Sequence, residues 1–186
     1  TKDSATNREL LKALLKVDVL AHVVRAFEDD TVFHLDGSVD PRRDIDTVHA
    51  ELMLNDLIFL EKRLERIAKD KQRRSGADAE KEQTLLVRLQ AHLNDHGPLR
   101  TMDLDGQELK LLSGAPLLTR KPYLVILNAG EDQVKDRGLQ DEIQAKYAGQ
   151  GAHAVQVSAK IEEELAQLED PAERAAFLKE LGIAES

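Results

Sequence analysis

Two polar turns hold the residue types that could do chemistry in this chain. The first, Asn128-Ala129-Gly130-Glu131, ends the apolar run Pro122-Tyr123-Leu124-Val125-Ile126-Leu127. The second, Ser158-Ala159-Lys160, ends the run Ala154-Val155-Gln156-Val157, about one helix length later. Buried parallel strands read as continuous β-branched runs, and open α/β sheets bind ligands outside the carboxyl ends of such strands. Both turns therefore stand where a ligand would bind, and the chemistry on offer is recognition by hydrogen bonds and charge. A plain structural reading stays open beside it. Asn128 also suits an ordinary turn, Glu131 the acid-favouring start of a helix, and Lys160 a solvated surface.

Other candidate groups are weaker. His22 lies in an apolar run and reads as a hydrogen-bonded core histidine, while His34, His49, His92, His96 and His153 show no metal-ligand spacing. Glu28, Asp29 and Asp30 form an acidic cluster, which reads as a solvated loop ahead of a cation site. Lys69, Lys71, Arg73 and Arg74 make the densest cationic cluster. Such a run is either a solvated tip or a contact for RNA or an acidic partner.

Composition bounds the rest. A chain of 186 residues with 41% hydrophobic content can bury one sizeable core, or one domain with an appendage. A net charge of −9 argues against wholesale wrapping of nucleic acid, so DNA is not an expected partner and RNA would need a focused basic site. With no cysteine there are no disulfides or thiolate metal sites. No run approaches the roughly 18 apolar residues of a membrane span, so no membrane partner is expected and the expected localisation is cytoplasmic.

Periodicity supplies the elements that must position these groups. Leu10, Leu11, Leu14 and Leu15 predict an amphipathic helix over 7–16, and the β-branched run 17–24 predicts a buried strand. Gly37 and Pro41 mark 31–44 as loop or edge. From Asp46 apolar residues recur at helical spacing to Ile67, and Leu85, Leu86, Leu89 and Leu93 continue a second helix over 79–94. Two long helices joined by a polar turn predict an antiparallel arm inserted into an α/β core. A short helix around 107–112 and strand 122–127 return the chain to the sheet. The helix after Glu131 has an uncertain start because Gly138 interrupts it, and helices over 161–168 and from Pro171 close the chain.

The stretch Val17 to Asp30, followed by Gly37-Ser38-Val39-Asp40-Pro41-Arg42-Arg43-Asp44-Ile45-Asp46, closely resembles the YchF branch of the Obg-related P-loop NTPases, as does Glu61-Lys62-Arg63-Leu64-Glu65-Arg66. The resemblance covers nearly the whole chain. It implies a G-domain parallel sheet with an inserted coiled-coil arm, divided as 1–45 (G domain), 46–97 (arm) and 98–186 (G domain with base-reading turns), and followed in the family by a TGS domain. Asn128-x-x-Glu131 would then replace the Asn-Lys-x-Asp turn that reads guanine. An aspartate there accepts from two neighbouring N–H donors of guanine, and a longer glutamate removes that contact, so the resemblance implies relaxed specificity or ATP preferred over GTP. Asn128 would tie the base-reading turn to its neighbours, and Ser158, Ala159 and Lys160 would pack over the base.

The family's P-loop, Gly-x-x-x-x-Gly-Lys-Ser/Thr, cradles phosphate and magnesium, and no lysine of this chain is followed by Ser or Thr. In the family that loop and the switch carrying Asp-x-x-Gly both lie upstream of the region corresponding to residues 7–16, so both are expected to be missing from this chain. The expectation is a nucleotide-binding, ribosome-associated protein of which this chain carries the base-reading half. The parent would be an ATPase or GTPase using magnesium, while this chain alone would bind ATP or GTP weakly and not hydrolyse it. The alternative is a non-catalytic protein- or RNA-binding module that acts through the arm, with vestigial nucleotide turns.

Overall fold

The computed structural model describes residues 9–70 and 77–183. Residues 9–14 are helical (α1), and then follow β1 (Leu20–Arg25), α2 (Pro41–Asp70), α3 (Ala77–Asp95) and a 3-10 turn (Leu99–Thr101). The chain continues through α4 (Gly106–Leu111), β2 (Tyr123–Asn128), α5 (Gly138–Ala148), β3 (Ala152–Val157), α6 (Ala159–Gln167) and α7 (Pro171–Leu181). The strands form one sheet in the order β1-β2-β3. Leu20 N–H donates to Pro122 C=O at one end and Ala26 N–H to Asn128 C=O at the other, so β1 and β2 run parallel. The expected α/β class with an inserted helical arm holds.

Contacts divide the described residues into two compact units. One draws on Thr1–Leu20, Asp46–Tyr123 and Ala148–Ala152, and the other on Ala21–Ile45, Leu124–Tyr147 and His153–Ser186.

The first unit is dominated by the α2–α3 hairpin. Leu60 and Ile67 from α2 meet Leu85, Leu86, Leu89 and Leu93 from α3, and Leu99, Leu112 and Leu117 extend the same cluster. The spacing of seven in α2, and of three and four in α3, puts each set on one helical face. Arg63 bonds Glu82 across the hairpin at 2.7 Å. In mid-helix, Asp56 is fully buried and accepts from Leu118 N–H (2.8 Å), Thr119 N–H (2.8 Å) and the Thr119 hydroxyl (2.7 Å). Burial pushes the Asp56 carboxyl above its usual range, and these donors only partly oppose it. At the other end, the Lys121 ammonium donates to the carbonyls of Leu14, Leu15 and Val17, where a cation suits a helix C-terminus.

In the second unit β2 is the central strand, with Val125 and Leu127 wholly buried. Behind it α5 buries Ile143 and Tyr147. Two glutamines one turn apart on α5 clasp the outer edge of β3. Gln144 Oε1 accepts from Ala154 N–H (2.8 Å), and Gln140 Nε2 donates to Ala154 C=O (3.1 Å).

Three boundaries differ from expectation. Pro41 opens α2 and does not break it. Proline suits the first helical position, and the Asp40 carboxylate accepts from the N–H groups of Arg42 and Arg43 at 3.1 Å each. The apolar run from Val17 enters the sheet only at Leu20. Helix α5 starts at Gly138, whose N–H is taken by the Asp136 side chain, so the residues after Glu131 form turns.

Candidate functional site

The carboxyl ends of the strands converge on an open cleft of about 770 Å³ in the second unit. Ala129 N–H donates to Val157 C=O (2.8 Å), which fastens the exit of β2 to the exit of β3. The next turn is tight, with Gly130 N–H on Gln133 Oε1 and Gln133 N–H on Gly130 C=O, both at 3.0 Å. A Cβ on Gly130 would lie 2.7 Å from Asp132 Oδ1, so glycine fits this approach.

All five residues expected at the site line this cleft. Asn128 Oδ1 accepts the Ala159 N–H at 3.0 Å, so the first turn is tied directly to the second. Glu131 Oε1 pairs with Lys160 Nζ at 2.6 Å, and this partner holds the ammonium above the usual lysine range. Both side chains remain accessible, so the pair is a solvated one that a ligand can rearrange. Ser158 precedes α6 and is buried, and its Oγ has no hydrogen-bond partner among the described residues. Buried hydroxyls are nearly always satisfied, which makes this one conspicuous in a cleft wall.

The third wall was not legible in the sequence. It comes from the loop after β1 and contributes Phe27, Glu28, Asp29 and Val32. The Arg25 guanidinium folds this loop by donating to the carbonyls of Phe27 (2.9 Å), Val32 (2.8 Å) and Asp29 (3.0 Å), and it stacks 4.7 Å from the Phe27 ring centre. Thr31 donates through its hydroxyl (2.6 Å) and N–H (2.8 Å) to Asp29, holding that carboxyl below its usual range. The usable signal was the strand order, since a parallel neighbour of β2 must deliver its following loop to the same edge.

The cleft is acidic. Glu28, Asp29, Glu131, Asp132 and Glu163 line it, against Lys160. Such a surface opposes phosphate and favours groups that donate hydrogen bonds. Among the described residues no group of three or more His, Cys, Asp or Glu could hold a metal ion. The surplus of carboxylates on the wall does not suit a phosphate cradle, which needs amide and cationic donors. One stretch, Asp103-Leu104-Asp105-Gly106, matches Asp-x-x-Gly by letter without being the expected switch. It lies in the other unit, where Asp105 caps α4 in a reciprocal capping box with Glu108.

The remaining candidates fall elsewhere. Lys69 is exposed and pairs with Glu65 at 3.7 Å, while Lys71, Arg73 and Arg74 lie outside the described residues. His22 is half-buried, and burial lowers its pKa. His49, buried in the first unit, bonds Gln150 (3.1 Å) and Arg100 (3.3 Å). Arg100 also donates to Gln150 C=O (2.7 Å), and desolvation lowers its pKa to about 10.

The fold has solved counterparts. The structure of Schizosaccharomyces pombe YchF GTPase superimposes with a TM-score of 0.80 at 27% identity, covering 93% of this chain and 48% of that one. Fold and match together define a partial P-loop NTPase sheet of G-domain type, with a helical arm between its first two strands. No family model matches the chain. The ribosome-binding ATPase YchF of Bacillus subtilis is 38% identical over 189 residues, spanning all of this chain and 51% of the relative. That of Haemophilus influenzae is 35% identical over 187 residues, with 100% and 50% covered. Obg-like ATPase 1 of Oryza sativa subsp. indica is 36% identical over 121 residues, or 65% of this chain. The chain belongs to the YchF-type, Obg-like family, and it spans about half the length of the curated YchF relatives it matches.

Proposed function

We propose that the chain is the base-reading part of a ribosome-associated, cytoplasmic nucleotide-binding ATPase, with ATP preferred over GTP. The observation that carries this reading is the Asn128–Ala159 hydrogen bond, which joins both polar turns into one wall of an open cleft. A base needs an edge to read and a face to lie against. Asn128 and Glu131 supply edge contacts, and the lysine stem of Lys160 supplies a face. Where an aspartate would accept from the two neighbouring N–H donors of guanine, the longer and differently aimed Glu131 withdraws that contact, which is the ground for preferring adenine. The ATPase activity and ribosome binding of the relatives come to this chain as part of the same proposal, as does the division into 1–45, 46–97 and 98–186.

Phosphate and magnesium would be held by residues other than these. Most nucleotide affinity comes from the phosphate cradle, so the chain alone should bind ATP weakly and not hydrolyse it. Isothermal titration calorimetry with ATP and GTP tests this directly. Weak ATP binding with weaker GTP binding is expected, and equal affinity for both would overturn the base preference. Micromolar affinity would overturn the claim that the phosphate half lies elsewhere. In a chain extended to the relatives' length, Glu131→Asp should shift the ATP/GTP ratio toward GTP by roughly tenfold, the scale of one hydrogen-bonding group on a base.

A further inference from the structure

A second concavity lies on the first unit, where the arm meets the turn after α4. This groove of about 330 Å³ has an apolar floor of Phe59, Leu86, Leu111 and Pro116. Phe59, Lys62, Arg63 and Arg66 share one face of α2 by their spacing of three and four, and all four line it. Arg63 is already neutralised by Glu82 at 2.7 Å. Lys62 and Arg66 are exposed, and among the described residues neither has a carboxylate partner. On a chain of net charge −9, two exposed cations over an apolar floor are a local reversal of sign.

We propose that this groove docks an acidic peptide segment that carries an apolar anchor residue. Charge complementarity selects the acid, because such a segment is repelled by the rest of the surface and attracted here. The floor selects the anchor. It is built from aliphatic side chains and one half-buried phenyl ring, which receive a Leu or Phe side chain as helix and peptide grooves do. Single-stranded RNA instead asks for several exposed aromatic faces on which successive bases stack, and this floor offers only the half-buried Phe59 ring.

The probe is a fluorescein-labelled peptide Asp-Glu-Leu-Phe-Asp-Glu, titrated with the chain at low salt and read by fluorescence anisotropy. Saturable binding is expected, weakened roughly tenfold or more by the double change Lys62→Glu/Arg66→Glu, about the sum of two solvated charge reversals. The charge-keeping pair Lys62→Arg/Arg66→Lys should bind like the parent, and replacing Leu-Phe by Ser-Ser in the peptide should abolish saturation. Ser113→Glu, on the exposed wall opposite α2, should weaken binding without touching the helix. Circular dichroism confirms that each variant is folded. Absence of binding by the parent chain, or binding indifferent to both the double reversal and Ser113→Glu, overturns the proposal. So does an oligouridine that binds more tightly than the peptide and is lost in the same variants.

Discussion

Asn128 uses its side-chain oxygen to hold the Ala159 N–H, so it is a structural joint between two turns before it is a ligand contact. Asn128→Ala would leave that donor without its acceptor, at a cost of about 1 kcal/mol, or a fall in Tm of about 2–4 °C for a domain of this size. The drop should be accompanied by loss of measurable ATP binding. A variant that keeps both parental stability and parental binding would show that the joint is idle. Lys160→Ala is expected to do the opposite, leaving stability unchanged because its partner Glu131 is solvated, while weakening nucleotide binding severalfold. These residues were legible in the sequence because a polar turn after a β-branched strand has a fixed place in an α/β sheet. Arg25 was not legible. Its three bonds to carbonyls depend on where a loop folds, and nothing in the letters Phe27 to Val32 announces that.

At the scale of elements, α2 turns on two carboxylates that periodicity treats as ordinary polar positions. Asp40 caps its start, and Asp40→Ala should destabilise the chain by about 1 kcal/mol, as loss of an N-cap does. Thermal melts of the two proteins check it. Pro41 opens this helix and does not break it, since at the first helical position its missing N–H costs nothing and its fixed φ suits the turn. Asp56 clamps the middle of α2 to Leu118 and Thr119, and it is invisible in sequence because a helical pattern with one buried acid looks like one with an exposed acid. Its raised carboxyl pKa gives the opposite pH dependence from a salt-bridged acid. The folded state keeps the proton to higher pH than the unfolded chain, so the contribution is full below about pH 3.9 and fades as pH rises through the folded value. Urea denaturation of the parent and Asp56→Asn from pH 4 to 7 should therefore show the parent's advantage shrinking with pH. A widening gap would mean that the three donors outweigh burial.

For the whole molecule, the two edges of the sheet are unequal. On β1 Val23 is 63% exposed, an apolar residue on an edge strand, which is a recognised route to association. Val23→Lys is expected to lower concentration-dependent association without loss of helical signal, measured by light scattering after size exclusion. Unchanged association would move the liability elsewhere. The opposite edge carries the Gln140–Ala154–Gln144 clasp, where one residue of β3 has both its main-chain groups occupied by side chains of α5. A strand arriving at β3 must first displace two amides, whereas on β1 the exposed Val23 offers an apolar side chain. The clasp thus gives the sheet a direction of growth: templating by this fold, whether by another chain or by a folding neighbour, proceeds from one side.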